Sequence, residues 1–336
     1  MEKYSQFRDR GSGIAPFFPI PTHSSGIYLP FHLFLLLIRL PILLTVTLTY
    51  FFVLQWLPIG SLGKKASLWL ILGAPGVWWI DLQIDGVKKG SLAKHHEARL
   101  PQPGSIIACS HTSPLDSLYL AAIFDPIFTA SYPSTRLVHR ISLFHAMLRA
   151  LQHPRLEPPK HVRLTDLQTL IQQYPGQAVV VYPECTTTNG RGILPFSPSL
   201  LTAPPQAKIF PISLRYTAGD ITTPVPCTYI SFVWNLLSKP THCIRVRIAE
   251  SVHNTSQSSA TRNSTSQIER EMLYDDRASS SDTLLSSEDV ESINAAEKRI
   301  LDKVADALAR LGRVKRVGLG IKDKDDFVKA WTKQQR

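Results

Sequence analysis

The sequence predicts an α/β fold in which a mostly parallel central sheet is flanked by helices, with an N-terminal membrane-embedded helical segment ahead of it. Strand-like and helix-like patterns alternate between residues 81 and 250, which is typical of a layered α/β domain. The run 178–182 is rich in valine and suits a central strand that is buried on both faces. An almost wholly apolar stretch, 31–57, precedes this region and predicts the membrane segment.

Each element follows from its local pattern. Short β-branched or alternating runs predict strands, at 81–85, 105–110, 128–131, 178–182, 209–214 and 244–248. Apolar residues at helical spacing predict helices, at 114–124, 140–151, 164–173 and 293–311. A short helix carrying Phe327 and Trp331 follows, and we expect it to dock on the body of the protein.

Composition narrows the class of partner. The 336 residues suffice for one large domain or two modest ones, and the formal net charge is +11. Such a charge suits a lipid surface or a phosphorylated substrate. Since no basic stripe interleaved with aromatic residues is found, we expect no nucleic-acid partner. The four cysteines have no paired spacing, which indicates a reduced, cytosol-facing compartment.

The chain divides into five segments by composition. A flexible N-terminus is expected at 1–27, and membrane-embedded or interfacial segments at 28–80. The main α/β domain is expected at 81–250 and a disordered Ser/Thr-rich insertion at 251–292. An amphipathic helix with a basic tail is expected at 293–336.

The apolar stretch leaves two topologies open. Its uncharged part, 40–57, has 18 residues, the lower limit for spanning about 30 Å of hydrocarbon. Pro41 can break the segment into two arms, so both a single span and a hairpin are consistent with the sequence. A second apolar stretch, 68–80, is too short to span and predicts an interfacial piece with Trp78 and Trp79 at the headgroup level.

The first chemical motif is a histidine after a predicted strand, His111, followed by an acid, Asp116. Ser113 suits the N-cap of a helix and Pro114 its first position, so Asp116 falls in the first turn. A base on a loop beside a fixed acid is the outline of a general-base pair. The same spacing recurs at His161, but no strand precedes it, and we interpret that copy as structural.

The second motif is a loop rich in hydroxyls and glycine at 182–196, directly after the strand at 178–182. It contains one acid, Glu184, and one arginine, Arg191. Backbone N–H groups and hydroxyls in such loops bind phosphate, and an arginine adds a charge-assisted hydrogen bond.

Together the two motifs resemble those of the glycerolipid acyltransferase family, the 1-acylglycerol-3-phosphate O-acyltransferases. The pattern is closest to the branch with the fungal lysophosphatidate:oleoyl-CoA and the lysophosphatidylcholine acyltransferases. In that family a His-x4-Asp motif precedes a Pro-Glu-Gly-Thr motif by some 70 residues; here Glu184 follows His111 by 73. A later proline before a strand, Pro211, also matches the family. The sequence departs from the pattern at Cys185, which replaces the glycine, and at Thr187, which replaces a frequent arginine.

The resemblance implies the site. His111 would be the catalytic base, and Asp116 would hold one N–H of its ring. The acceptor phosphate would lie among residues of the second motif and of the later strand, namely Glu184, Thr186, Thr188, Asn189, Gly190, Arg191 and Pro211. Arg149 and Arg155 are candidates for further phosphate or CoA contacts. No metal and no cofactor are expected, since acyl-CoA is a co-substrate.

The implied function is acylation of the free sn-2 hydroxyl of lysophosphatidic acid, which yields phosphatidic acid for phospholipid and triacylglycerol synthesis. The implied location is the membrane of the endoplasmic reticulum or a lipid droplet, with the catalytic domain facing the cytosol. Three alternatives stay open: a lysophosphatidylcholine or lysophosphatidylethanolamine acyltransferase, a membrane-anchored trafficking protein, and a hydrolase with Cys185 as nucleophile.

Overall fold

In the computed structural model, the described residues are 2–22, 26–57, 60–87, 99–217, 219–255 and 293–335. Most of the predicted disordered insertion, 256–292, lies outside the described residues. Its first residues are folded, because Val252–His253 forms a strand and Asn254 is buried. The disorder predicted from residue 251 onwards is therefore wrong for residues 251–255.

Each helix and strand has defined bounds. The helices are α1 (Leu29–Thr49), α2 (Ser61–Gly73), α3 (Pro114–Phe124), α4 (Leu143–Arg149), α5 (Leu167–Gln173), α6 (Tyr229–Leu237), α7 (Ala295–Gly312) and α8 (Ile321–Gln335). The strands are β1 (Val77–Ile84), β2 (Ile106–Cys109), β3 (Ile127–Ala130), β4 (Val138–Ile141), β5 (Leu164–Thr165), β6 (Val179–Val181), β7 (Gly192–Ile193), β8 (Lys208–Tyr216), β9 (His242–Ile248), β10 (Val252–His253) and β11 (Lys315–Arg316).

The predicted α/β fold with a mostly parallel central sheet is confirmed. Among the described residues the main sheet has the order β1-β9-β8-β2-β6-β3-β4-β5, and β10 pairs with β8. The central strands β8, β2, β6 and β3 run parallel. Antiparallel pairs lie at the flanks, between β8 and β9 and along β3-β4-β5.

Alternate residues of the central strands enter two apolar clusters, one on each face of the sheet. Ile107 and Val180 belong to the cluster that contains Leu118 of α3, whereas Ile106 and Val179 belong to the cluster that contains Val304 of α7. Successive side chains of a strand point to opposite faces, so β-rich runs that are apolar throughout require helices on both sides.

The apolar N-terminal helix could cross a membrane by its length and composition, because the 29-residue segment Gly26–Leu54 is strongly hydrophobic and wholly unburied in its most apolar window. Pro41 lies inside α1 without interrupting it, so α1 is one continuous helix rather than two arms. The Arg39 guanidinium donates hydrogen bonds to the carbonyl oxygens of Pro75 (3.2 Å) and Pro240 (2.8 Å). The middle of α1 is therefore attached to the α/β domain.

The segment after α1 differs from the expected interfacial piece. Leu68 and Leu72 of α2 are buried in the core, and β1 begins at Val77, four residues before the predicted strand. Trp78 and Trp79 are nevertheless 69% and 67% exposed, as an interfacial position requires. Residues 77–84 belong to the sheet rather than to a separate interfacial piece, because β1 pairs along its length with β9.

The expectation of a flexible N-terminus is wrong for residues 2–22. Phe7 and Phe17 are buried in a cluster with Phe327 of α8, and Glu2–Phe7 forms a 3-10 helix. The aromatic residues of this polar, proline-rich segment supply enough apolar area to fix it. The docking predicted for the short C-terminal helix is confirmed by the same contacts.

Candidate active site

The two motifs meet at one edge of the central sheet. His111 follows β2 and Glu184 follows β6, and these strands are parallel neighbours. The carboxyl ends of parallel neighbours open at the same edge, where ligands bind in open α/β sheets. The two loops are joined directly, because the amide of Thr188 donates to the carbonyl oxygen of His111 at 3.0 Å.

His111 is a buried, neutral imidazole. Its side chain is 3% exposed and stacks on Tyr182, with ring centroids 4.3 Å apart. Its Nε2 atom is buried without a hydrogen-bond partner in the described part of the chain. Burial, and then the positive charges of Lys324 and Arg149, lowers the pKa of His111 to about 3. A neutral ring with an unused nitrogen can accept a proton from a substrate hydroxyl.

Asp116 fixes the loop that carries His111. Ser113 caps α3 and Asp116 lies in its first turn, as the sequence predicts. The Asp116 carboxylate accepts hydrogen bonds from the amides of Thr112 (2.6 Å) and Ser113 (2.9 Å) and from the hydroxyl of Tyr216 (2.5 Å). Burial raises its pKa to about 6 against the opposing effect of these hydrogen bonds.

The expected hydrogen bond between Asp116 and the His111 ring is not found among the described residues. The carboxylate is instead surrounded by donors from its own loop and from β8. In this geometry Asp116 acts on His111 through the backbone of Thr112 and Ser113, because it holds the turn that follows the imidazole.

Glu184 is a buried acid with one free oxygen. Its Oε2 atom accepts a hydrogen bond from the amide of Leu194 at 3.1 Å, whereas Oε1 has no partner in the described ranges. Burial raises the pKa of Glu184 to about 8. A protonated carboxyl group in such a place can donate a hydrogen bond to a substrate oxygen.

Cys185 occupies a backbone position that favours glycine. Its φ angle is 58°, in the left-handed region where a side chain is strained. Burial raises the pKa of its thiol to about 11, and the thiol donates to the carbonyl oxygen of Pro183 at 3.6 Å. Because the thiolate is the nucleophilic form, this environment argues against a hydrolase that uses Cys185.

The remaining residues of the second motif divide into buried and exposed members. Thr186, Thr188 and Asn189 are buried and Arg191 is exposed, while Gly190 adopts a φ of 70°. The Asn189 side chain is already engaged, since its amide donates to the carbonyl oxygens of Ala15 (2.8 Å) and Phe18 (2.9 Å). Asn189 therefore anchors the N-terminal segment rather than offering its amide to a phosphate.

The other predicted contacts lie at different depths. Pro211 pairs with Ala108 across β8 and β2, beneath the site. The Arg149 guanidinium is bound to the carbonyl oxygen of Ser131 (3.0 Å) and the hydroxyl of Tyr132 (3.1 Å), close enough to act on His111 electrostatically. Arg155 is exposed, and no contact joins it to the site among the described residues.

The second copy of the first motif lies apart from the site in the described residues, which is consistent with the structural role interpreted from the sequence. His161 is exposed. Asp166 is the N-cap of α5 and accepts a hydrogen bond from the amide of Thr169 at 3.3 Å. Neither residue is joined to His111 by a contact in the described residues.

Lys324 of α8 is a site residue that the sequence analysis missed. It is 1% exposed, and its ammonium donates to the carbonyl oxygen (2.6 Å) and the hydroxyl (2.9 Å) of Thr187. Burial lowers its pKa to about 7, and the charge of Glu184 opposes this effect. Helical spacing from Ile321 and Phe327 was the available signal, because it puts Lys324 on the apolar face.

Two cavities flank the second motif. One of about 670 Å³ is lined by Tyr4, Arg8, Gly13, Ile14, Ala15, Phe18, Pro19, Pro21, Asn189, Arg191 and Trp331. Another, of about 270 Å³, contains Thr112, Arg191, Arg215 and Tyr216 in its wall. In the described residues no group of three or more His, Cys, Asp or Glu side chains could hold a metal ion.

Comparison with known proteins agrees with this architecture. Residues 91–215 match the family model described as Acyltransferase. The chain is 29% identical over 258 residues to a putative lysophosphatidic acid:oleoyl-CoA acyltransferase of Schizosaccharomyces pombe, covering 74% of this chain and 84% of the relative. It is 27% identical over 201 residues to lysophosphatidic acid:oleoyl-CoA acyltransferase 1 of Saccharomyces cerevisiae, covering 59% and 61%. With both motifs at one sheet edge, these similarities support the glycerolipid acyltransferase family for this chain.

Proposed function

We propose that this protein transfers the acyl group of an acyl-CoA to the free sn-2 hydroxyl of lysophosphatidic acid and so produces phosphatidic acid. The observation that carries this proposal is the buried, neutral His111 at the end of β2, whose Nε2 has no hydrogen-bond partner among the described residues. Two relatives bear names that specify the same acceptor and an oleoyl-CoA donor.

The chemistry is direct transfer. His111 Nε2 takes the proton of the acceptor hydroxyl while its oxygen attacks the thioester carbonyl. A new ester C–O bond forms, the thioester C–S bond breaks, and the leaving thiolate receives the proton from the imidazolium. Glu184, when protonated, supports the developing oxyanion with a hydrogen bond from its unpartnered oxygen. No acyl-enzyme intermediate is required.

The acceptor site would use Arg191 and the cavity of about 670 Å³. Its wall combines aromatic and aliphatic side chains, among them Ile14, Phe18 and Trp331, with the guanidinium groups of Arg8 and Arg191. Lysophosphatidic acid has the matching construction, an acyl chain attached to a phosphate, and arginine binds phosphate through paired hydrogen bonds.

The membrane of the endoplasmic reticulum or the surface of a lipid droplet is the proposed location, with the catalytic domain on the cytosolic side. The apolar α1 supports membrane association. Arg39 joins the middle of α1 to the body, which favours a helix that lies with the body at the interface. That arrangement brings the site to the surface where lysolipid and acyl chains reside.

The test uses membranes from cells that express the full-length protein, one labelled oleoyl-CoA and a panel of lysophospholipids with different headgroups. We expect transfer to lysophosphatidic acid, its loss in His111→Ala, and its retention in the control His161→Ala. Transfer only to choline or ethanolamine lysolipids would assign the protein to phospholipid remodelling. Full activity of His111→Ala would refute the proposed base, and inactivity of the wild type towards every acceptor would favour a trafficking role.

A further inference from the structure

Four arginines line a cavity of about 220 Å³ at the end of the sheet. Its wall consists of Ser213, Arg215, Tyr216, Thr217, Arg245, Arg247 and Arg313. The register of β8 and β9 produces the cluster, because Arg215 lies opposite Arg245 and Ser213 lies opposite Arg247. Like charges directly opposite each other on neighbouring strands are destabilising.

Among the described residues, no acid compensates the positive charge of this cluster. No carboxylate of the described residues lines the cavity, and the salt bridges among these residues involve other arginines and lysines. Arg215 and Arg247 donate to the carbonyl oxygens of Gly312 and Leu311 at the end of α7. Burial lowers the pKa of Arg215, and the neighbouring charges of Arg245 and Arg247 lower it further.

The cavity adjoins the proposed active site. It shares Arg215, Tyr216 and Thr217 with the cavity of about 270 Å³ that reaches Thr112, the residue after His111. The Tyr216 hydroxyl also donates to Asp116. A ligand held by the arginines therefore lies next to the loop that carries the proposed base.

We propose that Arg215, Arg245, Arg247 and Arg313 bind the phosphates at the nucleotide end of the acyl-CoA co-substrate. The proposal rests on the proposed function for the identity of that co-substrate. Coenzyme A carries a diphosphate and a separate 3′-phosphate, whereas the lysolipid acceptor carries one phosphate, so a cluster of four guanidinium groups matches the donor. Arginine is suited to this role because its planar fork pairs with phosphate oxygens.

The decisive variant is Arg245→Ala/Arg313→Ala. Both side chains are exposed, and no side-chain hydrogen bond or ion pair ties them to the rest of the described structure. The charge-matched control is Arg299→Ala/Lys303→Ala, which removes two exposed cations from α7 outside the cavity. For the full-length protein in membranes, we expect the KM for oleoyl-CoA to rise about tenfold in the first variant. We expect an unchanged KM for lysophosphatidic acid and an unaltered control.

Two further measurements identify the bound group. The wild type should prefer oleoyl-CoA to its 3′-dephospho analogue, and the variant should lose this preference. Direct binding of adenosine 3′,5′-bisphosphate to the purified protein should weaken in the variant and with rising salt. A rise in the KM for the lysolipid alone would assign the cluster to the acceptor and overturn the proposal.

Direct binding of adenosine 3′,5′-bisphosphate distinguishes a failure of the proposed phosphate site from a failure of the proposed function. If the wild type acylates no lysolipid but binds adenosine 3′,5′-bisphosphate more tightly than the variant, the function fails and the site stands. If acylation proceeds with the same KM for oleoyl-CoA in both proteins, and both bind the nucleotide equally, the function stands and the site fails.

Discussion

The ammonium group of Lys324 donates hydrogen bonds to both the carbonyl and the hydroxyl oxygen of Thr187. Thr187 is in turn bound to Thr223, because its hydroxyl donates to the carbonyl oxygen of Thr223 at 2.7 Å. The motif that resembles Pro-Glu-Gly-Thr is thus held by a cation from α8. Where related sequences often have an arginine two residues after the glycine position, this chain has Thr187 with a lysine bound to it.

Replacing Lys324 should change both the rate and its pH dependence. Lys324→Met removes a positive charge that lowers the pKa of His111, so the acid limb of the kcat/KM profile should move to higher pH. We also expect kcat to fall by about tenfold, because the loop loses two hydrogen bonds from a charged donor. The measurement is acyl transfer by the wild type and by Lys324→Met between pH 3 and 8, a range that reaches the His111 pKa of about 3.

The control for this variant is Lys322→Met, which removes an exposed lysine from the same helix. Its profile should match that of the wild type. A purely structural role of Lys324 would lower activity at every pH without moving the acid limb, and that result would contradict the prediction.

Tyr216 should affect stability and activity through its hydrogen bond to Asp116. Tyr216→Phe removes the hydroxyl that donates to the buried carboxylate, and hydrogen bonds to charged groups contribute about 1.5–3 kcal/mol. We therefore expect a lower melting temperature and a loss of kcat/KM of at least about tenfold. Tyr229→Phe, at an exposed position on α6, is the matched control; equal effects of the two substitutions would rule out the proposed link.

The buried neutral His111 should make the protein sensitive to acid. Its pKa is about 3 in the folded protein and about 6.5 when unfolded, so the unfolded state binds more protons between these values. The free energy of unfolding must then fall as pH drops below 6.5, by about 2 kcal/mol at pH 5 from this group.

His111→Gln lacks this group, so its stability should decline less steeply over the same range. Denaturant unfolding at pH 7 and pH 5 measures the difference. Parallel decline of the two proteins would show that His111 is not held neutral by the fold.

The packing of the N-terminal segment, residues 2–22, against the rest of the protein should depend on Phe327. Its ring lies 5.3 Å from that of Phe7 and 5.1 Å from that of Phe18, measured between centroids. Phe327→Ala should destabilise this cluster by about 3–5 kcal/mol and expose residues 2–22 to proteolysis.

Asn189→Ala tests the same docking from the other side, since it removes the hydrogen bonds to Ala15 and Phe18 without altering the aromatic cluster. Limited proteolysis of both variants is the measurement. Unchanged protection of the N-terminal segment in both would show that these contacts do not hold it.

Local patterns in the sequence predicted several of the helices and strands well. The bounds of α3, at Pro114–Phe124, were recovered in full because Ser113 and Pro114 mark its start. The strand Val138–Ile141 was missed, because its apolar residues fit the helical spacing of the neighbouring α4. Alternation of strands with helices favoured parallel pairing and gave no signal for the antiparallel flanks.

Site residues that stand at the ends of their own strands were predicted from the sequence, whereas contacts between distant parts of the chain were missed. His111 and Glu184 stand at strand ends, which their own segments reveal. The partners of Asp116 and Asn189 come from β8 and from residues 15–18, and no local pattern indicates such pairs. Lys324 was overlooked for the same reason, although its place among apolar residues of α8 was visible.

The contact between Lys324 and Thr187 has a consequence for the order in which the enzyme is assembled. Lys324 follows Glu184 by 140 positions, and a chain is synthesised from its N-terminus. The strands that carry His111 and Glu184 are therefore complete while the loop still lacks its cation. A nascent chain therefore contains the proposed base, His111, before it contains the residue that holds the neighbouring loop, so we expect competence for acyl transfer only after α8 has been synthesised and has docked.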